Sequence, residues 1–138
     1  MISKEELYAF INKQQICVLS TVNSGNKPES AAMAFSVTEG LEIIFSVNFE
    51  SRKLRNIELN NNVSIVFGWD MDDFITVQYE GVIERIENDL EKYQEIHFDK
   101  NPDSKKFKDL PGNTYLKVTP KWIRYSDLKN KIIEENKY

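Results

Sequence analysis

The chain has 138 residues, 41% of them hydrophobic and 29% charged, which suits one compact domain over residues 1–138 with one core. A formal net charge of −4 argues against a general nucleic-acid binder, whose surface would carry a basic face. Cys17 and His97 are each the only residue of their type, which excludes an intrachain disulfide, a multi-histidine metal site and a Cys/His zinc cluster.

The apolar stretches are strand-sized, far short of a membrane span. The chain opens on a helix signal with no apolar signal-peptide core behind it, so a cytoplasmic protein is expected. Ser3-Lys4-Glu5-Glu6 is a capping box, and Leu7, Phe10 and Ile11 follow at helical spacing. Gln15 to Val22 reads as a buried strand that holds Cys17 in an apolar run, where a structural thiol is expected. A turn at Asn23 to Pro28 leads to a second strand, Glu29 to Val37. Thr38-Glu39-Gly40 leads to a third, Leu41 to Val47, and the three are expected to form a meander.

Ser51 to Leu59 reads as a short helix with Leu54 and Ile57 facing inward, ended by Asn60-Asn61-Asn62. Val63 to Trp69 is a fourth strand, and Asp70, Asp72 and Asp73 are turn residues. Phe74 to Ile86 is a long strand with Ile75, Val77 and Tyr79 on one face and Thr76, Gln78 and Glu80 on the other. Asn88 or Asp89 caps a helix carrying Leu90, Tyr93 and Ile96. Asn101-Pro102-Asp103 and Leu110-Pro111-Gly112 punctuate a loop region. Thr114 to Tyr125 is a last strand interrupted at Pro120, and a short charged tail closes the chain. Strands joined by short turns with inserted helices imply a mainly β, antiparallel sheet or barrel, and no GxGxxG or Walker loop supports a Rossmann fold.

Chemistry concentrates where the third strand runs into the helix. Arg52, Lys53 and Arg55 fall in or near the first helical turn, where unsatisfied N–H groups already carry positive partial charge. Such misplaced cations cost roughly 1 kcal/mol together. A bound anion reverses the sign, since free N–H groups, the Ser51 hydroxyl and the cationic side chains would all meet one phosphate. The competing reading is a solvated basic face whose charges pair with Glu50 and Glu58.

The stretch Ser46-Val47-Asn48-Phe49-Glu50-Ser51-Arg52-Lys53 resembles the Tyr-Thr-Asn-x-x-Ser-Arg-Lys segment of the pyridoxamine 5'-phosphate oxidase-like family, whose fold is an FMN-binding, Greek-key split β-barrel. The helix, Asn60-Asn61-Asn62 and the strand Val63 to Trp69 follow in the family's order. The resemblance runs from about Ile16 to Ile86 and more loosely to Tyr125. It implies that Arg52 and Lys53 hold the FMN phosphate with Ser51 beside them, and that Ser46 and Val47 line the ribityl chain or ring. Ala31, Ala32, Met33 and Ala34 would run along the isoalloxazine, although close sheet packing explains the alanines equally well. Thr76 stands where family members often place a flavin-contacting glutamine, with Gln78 as its expected substitute. Trp122 and Arg124 resemble a late Trp and Arg that reach the flavin, often from the other subunit. The family forms homodimers with two flavins at the interface, so a homodimer is implied here.

The resemblance departs from true pyridoxamine phosphate oxidases at two places. Ser36 stands where they carry a lysine for the substrate's phosphate, and the segment Trp122 to Leu128 lacks their Arg-x-His motif. His97, on the helix after the long strand, does not fill that role and reads as a structural or surface residue. Pyridoxal phosphate synthesis is therefore disfavoured, and the chain looks more like small general-stress-protein members. The leading expectation is an FMN-dependent oxidoreductase acting on an unnamed small substrate, with the flavin carrying the chemistry. A flavin-binding protein without turnover, and a barrel that takes haem or the deazaflavin F420, are the alternatives.

Overall fold

The computed structural model describes residues 2–138. Helix α1 (Lys4–Asn12) starts on the expected capping box: Ser3 Oγ accepts the Glu6 N–H and the Glu6 carboxylate accepts the Ser3 N–H. Its Leu7, Phe10 and Ile11 are buried. Strand β1 (Ile16–Val22) turns back through Asn23, whose Oδ1 accepts the N–H groups of Gly25 and Lys27, into β2 (Pro28–Ala34). The hairpin is in register from Ile16 opposite Ala34 to Val22 opposite Pro28.

The expected second strand breaks at Phe35, which is fully buried, and the chain continues as the short β3 (Ser36–Val37). β3 pairs with β4 (Ile43–Asn48) rather than with β1, so the three-strand meander does not form. The reason is two-sided burial. Ile43, Ile44 and Phe45 are all buried, whereas β2 alternates between half-buried and exposed residues and leaves one face open.

Helix α2 (Arg52–Leu59), β5 (Asn62–Phe67), β6 (Ile75–Arg85), α3 (Leu90–Lys100), a 3₁₀ turn (Pro102–Phe107), β7 (Asn113–Asp127) and β8 (Ile132–Lys137) complete the chain. The sheet runs β2-β1-β5-β6-β7-β4-β3, antiparallel throughout, with β8 on the second half of β7. Asp89 caps α3 through a left-handed backbone (φ 58°) and makes no side-chain cap bond. The expected interruption at Pro120 is a bulge: Glu80 faces Trp122 and Gly81 faces Pro120, leaving Lys121 without an opposite residue. The segment expected to be a charged tail is instead β8, held in part because its Glu135 lies opposite Arg124.

β2 and β3 are separated only by Phe35, yet they stand at opposite ends of the sheet order. The sheet therefore curls until its two edges approach, around a core that includes Leu19, Phe35, Phe45, Ile65, Phe67, Val77 and Leu116. Tyr79 ties the interior together, its hydroxyl lying 2.7 Å from the Leu41 carbonyl and 3.1 Å from that of Val118. The seam between β2 and β4 is the split in this barrel, and α2 sits beside it.

Candidate functional site

Helix α2 begins at the position the sequence indicated. Ser51 is its N-cap in extended conformation, with Oγ accepting the Lys53 N–H at 3.2 Å. Leu54, Asn56 and Ile57 are buried, which leaves Arg52 and Arg55 on the exposed side. No acidic residue occupies the first turn, so the positive end of the helix is not offset from within.

The offset comes from β2. Arg52 Nη1 lies 3.4 Å from Glu29 Oε2, with the arginine side chain 70% exposed and the glutamate 18%. Glu29 is also held by two amides: Asn23 Nδ2 donates to Oε2 at 3.0 Å and Asn56 Nδ2 to Oε1 at 2.9 Å. These hydrogen bonds hold its carboxyl below the usual glutamate range, Asn23 first and Asn56 next, with the charges of Arg52 and Arg55 adding to them. Asn56 is itself buried and donates to Thr21 Oγ1 at 3.0 Å. The start of α2 is thereby tied across the split to the edge hairpin.

The partners expected for a merely solvated basic face are not the ones found. Glu58 pairs with Arg85 from β6, Arg52 takes Glu29, and Lys53 and Arg55 make no ion pair among the described residues. Nothing in the sequence pattern singled out Glu29 or Asn23. Asn56 carried one signal, a polar residue on the inward face of an amphipathic helix between Leu54 and Ile57.

The other residues singled out from sequence fall in three places. Strand alternation splits the alanine run. Ala31 and Met33 share the face of Glu29, with Met33 packed on the core, while Ala32 and Ala34 point outward. On β4, Val47 is buried in the core, whereas Ser46 faces the other way and donates to Asn113 Oδ1 at 2.9 Å. Asn113 also donates to the Phe107 carbonyl, so it pins the 3₁₀ segment beside the end of β4; sequence reading missed it.

The third group lies on the outer face of the sheet. Ala32, Val18, Val66, Gln78, Arg124 and Glu135 are successive cross-strand neighbours on β2, β1, β5, β6, β7 and β8. At the usual strand spacing the path along the sheet from Ala32 is about 14 Å to Gln78 and about 19 Å to Arg124. Gln78, Trp122 and Arg124 thus lie on the outer face of β6 and β7, three and four strands along the sheet from β2. Thr76 faces Ser126 at the far end of β6. Glu135 accepts from both Arg124 Nε, at 2.8 Å, and Trp122 Nε1, at 3.3 Å.

His97 is structural. It is 2% exposed, its Nδ1 is 2.9 Å from Ser36 Oγ, and burial, helped by the charge of Lys100, lowers its pKa to about 4. Cys17 is fully buried, and that burial pushes its thiol up to about 12. Asp70 works as a turn residue, its Oδ1 accepting the Asp72 N–H at 2.8 Å. Among the described residues no three His, Cys, Asp or Glu side chains converge on a metal-sized point, and no helix is long and apolar enough to cross a membrane.

The model of the family described as pyridoxamine 5'-phosphate oxidase matches residues 3–127. No curated protein matches the chain. Among solved structures, the General Stress Protein 26 from Bacillus anthracis str. Sterne is 26% identical, with a TM-score of 0.75 over 96% of this chain and 98% of that one. A haem binding protein from Mycobacterium smegmatis has a TM-score of 0.85 at 18% identity; the match covers 99% of this chain but spans only 59% of that protein's length. HutZ, the haem storage protein from Vibrio cholerae, has a TM-score of 0.70 at 18% identity over 88% of this chain and 92% of that one. The last two likenesses show the fold alone. The match over residues 3–127, on a curled antiparallel sheet with a split beside α2, places the chain in the pyridoxamine 5'-phosphate oxidase-like family.

Proposed function

We propose that this chain is a flavoprotein that holds FMN at its split, with the phosphate at the start of α2. The observation that carries the reading is the donor set there. The first-turn N–H groups, the Ser51 hydroxyl and the Arg52 and Lys53 side chains gather at one helix end that lacks an acid of its own. The Ser51 oxygen accepts from the Lys53 N–H and keeps its own proton to donate to a phosphate oxygen. Such a set fits a phosphate monoester.

Haem fits this chain less well. Its one histidine is buried against Ser36 and its one cysteine is buried in the core, so neither is presented to an open surface as an iron ligand.

In the same reading the chain acts as a homodimer in the cytoplasm, with residues 1–138 as one flavin-binding unit. A second copy supplies Trp122 and Arg124, which lie on the outer face of the sheet on β7. Ala31 to Ala34 and Ser46-Val47, on the two strands flanking the split, would border the ribityl chain and ring, and Thr76 and Gln78, on the same outer face as Arg124, would border it from the second copy. Bound FMN supplies hydride and electron transfer, which makes the protein an oxidoreductase for a small molecule. The side chains named here bind and orient.

Arg52→Ala and Lys53→Ala should each weaken FMN binding by about 1–3 kcal/mol in a fluorescence-quenching titration. Unchanged affinity in both variants would refute the phosphate site. Steady oxidation of NADH or NADPH by the loaded protein would separate an oxidoreductase from a flavin carrier.

A further inference from the structure

We infer that Glu29 is an affinity-limiting residue of the phosphate site: it holds Arg52 in the unliganded protein, and an incoming phosphate must take the guanidinium from it. The inference rests on the phosphate-site reading above and adds to it a competitor built into the chain.

Each Glu29 oxygen already accepts from a neutral amide, Oε2 from Asn23 at 3.0 Å and Oε1 from Asn56 at 2.9 Å. Arg52 is the longest of its three contacts, at 3.4 Å, and the only one made by a side chain that is mostly in solvent. The two amides are anchored. Asn56 is buried and also bonded to Thr21, and Asn23 forms the hairpin turn with its own Oδ1 on Gly25 and Lys27. The carboxylate therefore stays in place, ionised and hydrogen-bonded, whether or not Arg52 is there. The guanidinium, by contrast, is free to swing.

Two consequences follow from electrostatics. Transfer of Arg52 to a phosphate leaves Glu29 satisfied by its amides, so the exchange is possible at modest cost. The exchange nevertheless subtracts the Arg52–Glu29 attraction from every binding event. Affinity for any phosphate monoester is thus held below what the cations alone would give. A phosphate dianion, whose charge-assisted bonds to a guanidinium are the stronger ones, can displace the carboxylate.

The test is a double-mutant cycle read by FMN titration on the full chain, with inorganic phosphate as a competing probe. Glu29→Gln keeps the side-chain length and one amide acceptor while removing the charge. It should tighten FMN and inorganic phosphate alike, by several-fold. In the Arg52→Ala background the same change should have an effect within twofold, because the competition is then absent. A second variant, Glu29→Asp, keeps the charge but shortens the reach to Arg52, and it should also tighten binding. If wild type binds FMN and Glu29→Gln binds it equally or more weakly, Glu29 is a positioning or neutral residue and the inference falls while the phosphate site stands. If the gain persists undiminished in Arg52→Ala, Glu29 acts by direct repulsion and the exchange is refuted. If wild type binds no FMN, the phosphate site and the inference fall together.

Discussion

Acid should destabilise this fold through His97, and the size of the effect follows from its surroundings. The ring is 2% exposed, sits against Ser36 Oγ at 2.9 Å and lies among Phe98 and Tyr115. Burial, with the charge of Lys100 adding, lowers its pKa from 6.5 to about 4. The folded state thus favours the neutral ring. Between pH 6.5 and about 4 the unfolded chain binds a proton that the folded chain refuses, so stability is complete above pH 6.5 and falls as pH drops through this window. The full loss is about 3 kcal/mol, most of it reached by pH 4.5. Urea unfolding followed by tryptophan fluorescence at pH 7 and pH 4.5 measures it, with His97→Gln as the reference. Carboxylates such as Glu29, Asp127 and Glu135, all held below their usual range, also lose stabilisation in acid, but equally in both proteins. Wild type should lose about 2–3 kcal/mol more than His97→Gln between the two pH values. Equal losses would refute the claim that His97 is held neutral.

Other outcomes follow from the same packing. Cys17, fully buried with its thiol pushed up to about 12, should resist a thiol reagent in the native protein and react once urea unfolds it; rapid labelling without denaturant would contradict its burial. A Cβ at Gly81 would lie 2.5 Å from the Thr119 carbonyl and 2.7 Å from Val118 Cγ1, so Gly81→Ala should cost about 1–3 kcal/mol in urea unfolding, and a neutral result would mean that the bulge opposite Pro120 is loose. Asn56→Ala removes the donor shared by Thr21 and Glu29 and should cost about 1–3 kcal/mol while also weakening FMN binding; a stability loss with unchanged FMN affinity would show that the tie across the split does not serve the site.

Local features of the fold were readable because they depend on neighbouring residues. The capping box at Ser3, the start of α2 at Ser51, the alternation along β6 and the break at Pro120 all appear at the positions their chemistry required. Strand pairing was not readable, since β4 carries the same apolar pattern whether its partner is β2 or β7. The buried Phe35 between β2 and β3, which sends the chain to the other edge of the sheet, looks like one more strand residue. β8 was missed because Ile132 to Lys137 mixes two apolar residues with charge, and its pairing with β7 is a tertiary contact. At the candidate site the cations were legible as an anomaly of charge against helix dipole. Glu29, their partner, was not, because it lies on another strand and reaches Arg52 only when the sheet curls.

Titration of purified protein with FMN, followed by light scattering of the loaded sample, decides whether this chain holds FMN at the start of α2. The expected result is a flavin absorbance spectrum that saturates at one FMN per chain, a particle of two chains, and loss of binding when Arg52 and Lys53 are both replaced by alanine. A protein that stays colourless and leaves FMN fluorescence unquenched at saturating concentration would contradict it.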